Sequence, residues 1–331
     1  MIRKTFIAVI LLVIVSCTSS KEESVVWSIA VHGGAGSSAS MSEERKLEYE
    51  KYLLEAVEIG AQMLRDGKSS LDAVEAVVVY MEDCPLFNAG KGAVKTIDGM
   101  HELDAAIMSG ADLKAGAVAG VKDIKNPIKA ARLVMDSTAH VLLIGEGASS
   151  FAKDQLLEIV DNEYFSTKQR EEQLNRIIHK KENPDLRGTV GCVALDIHGN
   201  LAAATSTGGM SGKKWGRVGD VPVIGAGTYA NNNTVAVSGT GHGEYWIRRV
   251  VAYDISALME YKNATLEDAA KEVIFNKIDP MGGSGGGIIA VDKSGNISLV
   301  FNTAMMHRAW AKSTGDYGVG VLKDEDKTFN K

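Results

Sequence analysis

Two similar strand pairs stand out in the second half of this 331-residue chain. Residues 190–197 and 201–206 are apolar and regular, and His198-Gly199-Asn200 separates them as a turn. Residues 286–292 and 297–301 repeat this arrangement around a turn at 293–296. Short turns of this kind join neighbouring antiparallel strands. The pairs therefore predict an α/β fold of the α+β kind, with mixed or antiparallel sheets between helical layers rather than a doubly wound parallel sheet.

The other elements are predicted from hydrophobic periodicity and from capping residues. Helices are expected at residues 42–65 with Ser42 as the cap, from Ser69 or Ser70 to about residue 82, from Asn126-Pro127 onward, and at 243–261 and 266–276. Strands are expected at 25–31, 102–107, 115–121, 235–238 and, as a buried strand, 141–144. Residues from about 153 to 187 are rich in Lys, Glu, Gln and Asn, which predicts a frayed helix followed by an exposed linker.

The N-terminus has the pattern of a targeting segment. Arg3 and Lys4 precede an apolar run at residues 5–15, then Ser16-Cys17 and a polar tether at 18–24. The apolar run is too short for a membrane span of about 20 residues. It resembles a bacterial lipoprotein signal (residues 1–17) in which Cys17 becomes the lipidated first residue; an ordinary secretory signal is the alternative. Either way, we expect an exported protein of the cell envelope, membrane-anchored or periplasmic.

Composition excludes some classes of protein. The net charge of -6 gives no basic footprint for nucleic acid. Apart from Cys17, only Cys84 and Cys192 are present, and we expect two buried free thiols rather than a disulfide framework. The chain has no Cys-x-x-Cys spacing for zinc.

The junction Gly188-Thr189 places a hydroxyl at the start of a buried strand, directly after the expected linker. Gly188 leaves its own carbonyl unshielded and permits strained backbone angles. The Thr189 hydroxyl could attack that carbonyl, shift the acyl group from nitrogen to oxygen, and let water release the upstream chain. The new terminal amine, with a pKa near 7.7–8.0, could then take the hydroxyl proton of Thr189 and activate it as a nucleophile.

Polar residues downstream fit a site for an amino-acid amide. Thr205-Ser206-Thr207 should bring hydroxyls beside the nucleophile on an adjacent strand. Arg217 and Asp220 lie among glycines, as a fork for a carboxylate and an acceptor for an ammonium group; a mutual surface ion pair is the alternative. The run Gly239 to Gly243 precedes a helix and could offer backbone N–H groups to an oxyanion.

These motifs together resemble the plant-type asparaginase and isoaspartyl peptidase family of N-terminal-nucleophile hydrolases. The resemblance covers nearly everything after about residue 25, including the segments 32–36, 85–90, 101–105, 188–220, 239–244 and 282–286. It implies one catalytic domain, a four-layer αββα sandwich. It also implies autocleavage into an α subunit (25–188) and a β subunit (189–331), a dimer of such αβ pairs, and hydrolysis of L-asparagine and β-aspartyl dipeptides.

The resemblance also assigns residues. It implies that Thr189 is the nucleophile and N-terminal base, that Thr207 hydrogen-bonds it, and that Asn88 is an active-site asparagine. By the same resemblance, the substrate α-carboxylate would bind Arg217 and its α-amine Asp220. The remaining matches are Thr240 and Gly241, which resemble the oxyanion and substrate-binding pair, and Gly243, which adds a backbone contact.

No cofactor is implied for catalysis, but the loop at residues 81–91 resembles a structural sodium site. Its ligands would be the backbone carbonyls of Met81, Glu82, Cys84, Phe87, Ala89 and Lys91. Hard oxygen ligands suit such an ion.

Other readings remain open at this stage. A serine hydrolase would use Ser284, Asp292 and His307, because residues 282–286 fit the G-x-S-x-G pattern. A lipid-anchored amino-acid binding protein would use Arg217 and Asp220 equally well. Within the enzyme reading, glycosylated asparagine is the alternative substrate, as in glycosylasparaginases. His242 is expected to form a wall of the substrate entrance rather than to act as the base.

Overall fold

The structure is a computed structural model that describes residues 26–36, 41–179, 188–283 and 285–330. Its helices are α1 Glu43–Arg65, α2 Ser70–Asp83, α3 Pro127–Ser137, α4 Gly145–Asp154, α5 Lys168–Ile178, α6 Gly243–Arg249, α7 Val251–Lys262 and α8 Leu266–Lys271. A π-helical segment, Glu272–Ile278, continues α8, and short 3₁₀ turns cover Asn162–Phe165 and Asp279–Met281.

Thirteen strands are present in the described residues. They are β1 Ser28–Gly36, β2 Leu103–Ser109, β3 Ala115–Val121, β4 Leu142–Ile144, β5 Val190–Leu195, β6 Leu201–Thr207, β7 Thr228–Ala230, β8 Val235–Thr240, β9 Gly287–Asp292, β10 Ile297–Ser298, β11 Met305–Lys312, β12 Asp316–Leu322 and β13 Lys327–Asn330. Nine form one sheet in the order β13-β12-β11-β1-β5-β6-β2-β3-β4, and four form a second in the order β10-β9-β8-β7.

The elements stack in four layers. Helices α1, α2 and α3 cover one face of the nine-stranded sheet, while its central strands β1, β5 and β6 face the four-stranded sheet. Helices α7 and α8 cover the outer face of that smaller sheet. One apolar core fills the space under the first helical layer, and a second fills the sandwich interior and extends beneath α6–α8. The expected αββα architecture is confirmed.

Local capping explains the two long helices. Ser42 accepts a hydrogen bond from the Arg45 N–H, and Ser69 accepts one from the Asp72 N–H, so each side chain satisfies a free donor of the first turn. Acidic residues in both first turns also favour the positive end of the helix dipole. The predicted cap at Ser42 is therefore confirmed, and Ser69 is the cap of α2.

Several predicted elements are wrong in detail. Strand β4 is not buried, because it forms the edge of the large sheet and leaves Ile144 66% exposed. The helix expected at 243–261 is two helices, since Val250 adopts a left-handed conformation (φ 51°) between α6 and α7. The strand expected at 297–301 is limited to β10. Strands β11 to β13 were not predicted.

The stretch expected as a frayed helix and exposed linker, residues 153–187, is described only to residue 179. That part includes the end of α4, a 3₁₀ turn and helix α5, and it buries Phe165 and Leu174. Arg170 also donates to the Gly92 carbonyl (2.5 Å). The polar residues thus occupy outer faces of packed segments, and any exposed linker is confined to residues 180–187, outside the described residues.

Cys84 and Cys192 are both free and buried, as expected. Across the described ranges, no helix combines the length and the apolar character that a membrane crossing requires. The signal predicted at residues 1–17, with Cys17, lies outside them.

Candidate active site

The Gly188 carbonyl is the centre of a cluster of hydrogen-bond donors. Thr189 Oγ1 lies 2.7 Å from the carbonyl oxygen, Thr207 Oγ1 lies 3.0 Å away, and Asn88 Nδ2 lies 2.8 Å away. The two threonine hydroxyl oxygens are 3.3 Å apart. Attack on this carbonyl would move negative charge onto an oxygen that already has positioned donors, which is the arrangement of an oxyanion hole.

Strand pairing brings the two threonines together. Strand β5 begins one residue after Thr189, and β6 ends at Thr207. The two strands are antiparallel neighbours with Val190 opposite Ser206, so Thr189 and Thr207 meet at one edge of the sheet. Both are buried, at 7% and 3% exposure. Strand pairing thus places Thr189, the expected nucleophile, beside its expected partner Thr207.

Asn88 reaches the same carbonyl from the loop after α2. Its side-chain oxygen accepts from the Val94 N–H (2.8 Å), and its amide nitrogen also donates to the Gly209 carbonyl (2.8 Å). Its own backbone carbonyl accepts from the Gly208 N–H (3.1 Å). These bonds hold the amide in one orientation, although 100 residues separate Asn88 from Gly188.

Gly34 packs directly on the junction, a contact that sequence reasoning missed. Its φ is +105°, and a Cβ there would lie 2.8 Å from the Gly188 Cα and 3.0 Å from the Thr189 nitrogen. A side chain would therefore be both strained and in collision with the backbone of Gly188 and Thr189. The glycine run at 32–36 was the available signal, but its target depends on the fold.

The three neighbouring hydroxyls of β6 point to different places. Of the three, Thr207 is the one that lies beside Thr189. Ser206 donates to the buried carboxyl of Glu82 on the helical side of the sheet (2.7 Å), and Thr205 bonds Ser238 in the sandwich interior (2.7 Å). Alternation along a strand explains the split, so the expectation of several hydroxyls at the site is wrong for Thr205 and Ser206.

Arg217 pairs with Glu244 rather than with Asp220. Its Nε and Nη2 donate to the two carboxylate oxygens of Glu244 at 2.9 and 3.0 Å. Burial opposes ionisation of Glu244, yet the hydrogen bonds and charge of Arg217 lower the pKa of that carboxyl to about 2. No role was predicted for Glu244 from the sequence. The only feature that could have indicated one is its position directly after the glycine-rich run at 239–243.

Asp220 is a buried carboxyl whose Oδ2 has no hydrogen-bond partner within the part of the chain that the structure describes. Burial raises its pKa to about 7, and its own backbone N–H and the charge of Arg217 offset this only in part. An unsatisfied buried carboxylate is costly to a folded protein. A bound cationic group would remove that cost.

Gly243 allows these two residues to approach the start of α6. A Cβ at this position would lie 2.7 Å from Nη2 of Arg217 and 3.0 Å from the Asp220 nitrogen. Gly243 thus lies against Arg217 and Asp220, the two residues expected to bind the substrate, and its own contact with substrate stays a prediction.

Thr240 ends β8, one of the two inner strands of the smaller sheet, and Gly241 follows it. Thr240 is buried, and its Oγ1 accepts from the N–H of Ala35, the neighbour of Gly34 (3.3 Å). Gly241 lies over the ring of Trp246, where a Cβ would come within 2.8 Å of ring carbon Cη2. Thr240 is thereby bonded to the glycine run at 32–36 that packs on the junction, and the oxyanion and substrate-binding roles of Thr240 and Gly241 stay predictions.

His242 is held at the rim. Its Nδ1 lies 2.8 Å from Oε2 of Glu244, and its ring meets the edge of Tyr245 at 5.1 Å between centroids. Its side chain is 27% exposed. The expected role of His242 as a wall of the substrate entrance stays a prediction.

The loop predicted to hold sodium offers neutral oxygens in a buried setting. The carbonyls of Met81, Glu82 and Cys84 accept backbone N–H groups at 3.3, 2.7 and 3.5 Å. Each carbonyl keeps a second lone pair, so the donor type fits a monovalent ion. Residues 26–36, 41–179, 188–283 and 285–330 contain no group of three or more His, Cys, Asp or Glu side chains suited to a metal. The sodium site, with Phe87, Ala89 and Lys91, stays a prediction.

The serine-hydrolase alternative loses its Asp–His pair. Asp292 accepts the N–H groups of Ser294 and Asn296 in the β9–β10 turn. His307 is half-buried, stacks on Tyr49 (4.0 Å between centroids) and bonds the Gly33 carbonyl. Ser284 lies outside the described residues. Asp292 therefore stabilises the β9–β10 turn and does not orient His307.

Comparison with known proteins agrees with this geometry. Residues 25–321 match a family model described as asparaginase. The chain is 50% identical over 315 residues to an isoaspartyl peptidase of Escherichia coli K12, covering 91% of this chain and 97% of the relative. It is 52% identical over 309 residues to the isoaspartyl peptidase of Salmonella typhimurium LT2 (89% and 98% covered), and 40% identical over 324 residues to a probable isoaspartyl peptidase/L-asparaginase of Arabidopsis thaliana (89% and 98%). The chain is therefore a hydrolase of the asparaginase family.

Proposed function

We propose that the chain cleaves itself between Gly188 and Thr189 and then hydrolyses L-asparagine and β-aspartyl dipeptides. The observation that carries the proposal is the Gly188 carbonyl, held by Asn88 and Thr207 with the Thr189 hydroxyl 2.7 Å from its oxygen. The names of the relatives above support this substrate class. A pure binding protein would have no use for three donors around a backbone carbonyl.

Self-cleavage needs only groups of this chain and water. The Thr189 oxygen attacks the Gly188 carbonyl carbon, and its proton passes to the Thr189 nitrogen as the carbon–nitrogen bond breaks. Asn88 and Thr207 stabilise the charge on the carbonyl oxygen. Water then hydrolyses the resulting ester, which leaves a carboxylate on Gly188 and a free amine on Thr189.

Substrate hydrolysis reuses the freed threonine. Its amine takes the hydroxyl proton, the oxygen attacks the side-chain amide carbon, and ammonia or the amine of the second residue leaves with a proton. Water hydrolyses the β-aspartyl ester and regenerates Thr189. Arg217 binds the substrate α-carboxylate and Asp220 its α-ammonium group, so only amides one methylene from the α-carbon reach the nucleophile.

Mass spectrometry of purified protein, together with assays on three substrates, tests the proposal. We expect two chains that separate before Thr189, ammonia release from asparagine and cleavage of a β-aspartyl dipeptide. A single intact chain with full activity would contradict it, and preferred cleavage of glycosylated asparagine would move the substrate to the alternative. The spectrum also tests two further proposals from the sequence: a lipid on Cys17 and, under native conditions, a dimer of αβ pairs.

The pKa of Asp220 predicts how the reaction depends on pH. Only the ionised carboxylate attracts an ammonium group, and burial raises the pKa of Asp220 to about 7. We therefore expect kcat/KM for asparagine to rise between about pH 6 and about pH 8, with KM carrying much of the change, because kcat/KM reports ionisations of the free enzyme. A KM that stays constant over this range would contradict the role of Asp220.

A further inference from the structure

A chain of four polar side chains crosses the apolar interior between the two sheets. His32 Nε2 lies 2.9 Å from Ser238 Oγ, which lies 2.7 Å from Thr205 Oγ1, which lies 2.7 Å from Thr228 Oγ1. All four residues are fully buried. His32 and Thr205 belong to β1 and β6 of the large sheet, and Ser238 and Thr228 to β8 and β7 of the smaller one. We call these four residues the hydroxyl bridge.

Strand β5, which follows Thr189, leaves space for this bridge at Gly191. Gly191 pairs with His32 on one side and with Thr205 on the other. A Cβ on Gly191 would overlap both Ser238 Oγ and the imidazole of His32. Buried polar groups cost stability unless they are hydrogen-bonded, and each of the three hydroxyls of the bridge makes at least one such bond.

One end of the bridge is fixed to the nucleophile. His32 precedes Gly33-Gly34, and Gly34 packs on the Thr189 nitrogen. Burial lowers the pKa of His32 to about 3, against a smaller opposing effect of the Thr189 backbone, so the imidazole is neutral at pH 7. Its Nδ1 has no partner of normal hydrogen-bond geometry among the described residues. His32 therefore holds the glycine run in place and does not supply a charge.

The other end is fixed to the amine-binding carboxylate. Thr228 Oγ1 lies 3.2 Å from the carbonyl of Val221, the residue after Asp220. Gly227, just before Thr228, donates its N–H to the Asp220 carbonyl (3.1 Å), and a Cβ on Gly227 would lie 2.8 Å from Asp220 Oδ2. Shifting Thr228 would thus shift Asp220.

We propose that the hydroxyl bridge is a positioning device, which sets the distance between the Thr189 nucleophile and the Asp220 carboxylate across the two sheets. The inference rests on the proposed function, because it takes Thr189 and Asp220 as the reacting and binding groups. None of the four bridge residues touches the substrate in this account. They act through the backbone of residues 33–34 at one end and 220–221 at the other.

Thr205 offers a matched pair of variants at the middle of the bridge. Thr205→Val keeps the shape but removes the hydroxyl, and Thr205→Ser keeps the hydroxyl but removes a methyl group. Ser256→Ala is the control, because Ser256 is equally buried and bonds Thr234 Oγ1 (2.7 Å) outside the bridge. Each purified variant is measured for the extent of cleavage before Thr189, for kcat and KM with asparagine, and for Tm.

We expect Thr205→Val to lower kcat/KM about tenfold or more, while Thr205→Ser and Ser256→Ala stay within about threefold of the parent enzyme. All three should lower Tm. If Thr205→Val fails to fold, Thr228→Val replaces it, with the main effect expected on KM. Equal kcat/KM in Thr205→Val and Ser256→Ala, with equal loss of Tm, would overturn the inference. Thr189→Ala is measured in parallel to test the proposed function by itself. Activity in Thr189→Ala would contradict the proposed function, whereas an inactive Thr189→Ala together with unaffected Thr205→Val would contradict only the role of the hydroxyl bridge.

Discussion

Replacement of Thr189 by alanine is expected to leave the chain in one piece and to lower amidohydrolase activity by on the order of 10⁴-fold or more. The reason is that one hydroxyl serves both reactions in the mechanism proposed above. It lies 2.7 Å from the Gly188 carbonyl oxygen before cleavage, and after cleavage it is the group that the new amine activates. Denaturing gels and mass spectrometry report the first loss, and ammonia release from asparagine reports the second.

Thr189→Ser is the control for this prediction. Serine keeps the hydroxyl and the expected bond to Thr207, so it should still be cleaved and should retain measurable activity. Efficient cleavage of the alanine variant would show that another group breaks the chain, and the assignment of Thr189 would then be wrong. Cleavage of the serine variant without any activity would separate the two roles of the residue.

The sequence predicted best where the cause is local. Ser42 caps α1 within three residues, and His198-Gly199-Asn200 turns β5 into β6. The proximity of Thr189 and Thr207 was also predictable, since they stand at facing ends of one turn-linked strand pair. In each case the determining contacts lie within about twenty residues of chain.

Distant pairing explains what was missed. Strand β11 follows no strong turn signal, and it is fixed by pairing with β1 at the other end of the chain. Gly34 and Ser238 lie far from Thr189 in sequence, and only the sheet order brings them together. Val250, whose left-handed φ breaks the helix predicted at 243–261, is held by α6 and α7 and by contact with Gly225.

The ion-pair partner of Arg217 could not be predicted from the sequence either, because it is distant along the chain. Arg217 and Asp220 are three residues apart. This spacing suggested either that the two bind the charged groups of a substrate or that they form an ion pair with each other. The structure instead places Glu244, 27 residues further on, against the guanidinium, because α6 begins beside the Arg217 loop. Residue type was enough to propose Arg217 and Asp220 as binding residues, but not to predict how they and Glu244 are arranged.

Replacement of Arg217 by alanine should raise KM for asparagine by about 10²-fold while cleavage before Thr189 stays largely intact. Glu244 occupies Nε and Nη2, so a substrate carboxylate meets Nη1 or displaces Glu244. In either case the loss of the guanidinium leaves that carboxylate without its charged partner in a largely buried site, where Arg217 is only 19% exposed. The Gly188 carbonyl has its own donors, so self-cleavage does not depend on Arg217.

Glu244→Gln separates binding from orientation in that experiment. If Glu244 only orients the guanidinium, glutamine still accepts a hydrogen bond and KM should change less than tenfold. If substrate must displace Glu244, removing its charge should lower KM, because the competing carboxylate is gone. An unchanged KM in Arg217→Ala would rule out the carboxylate role whatever Glu244→Gln does, and it would leave Asp220 as the remaining binding group proposed for the charged end of the substrate.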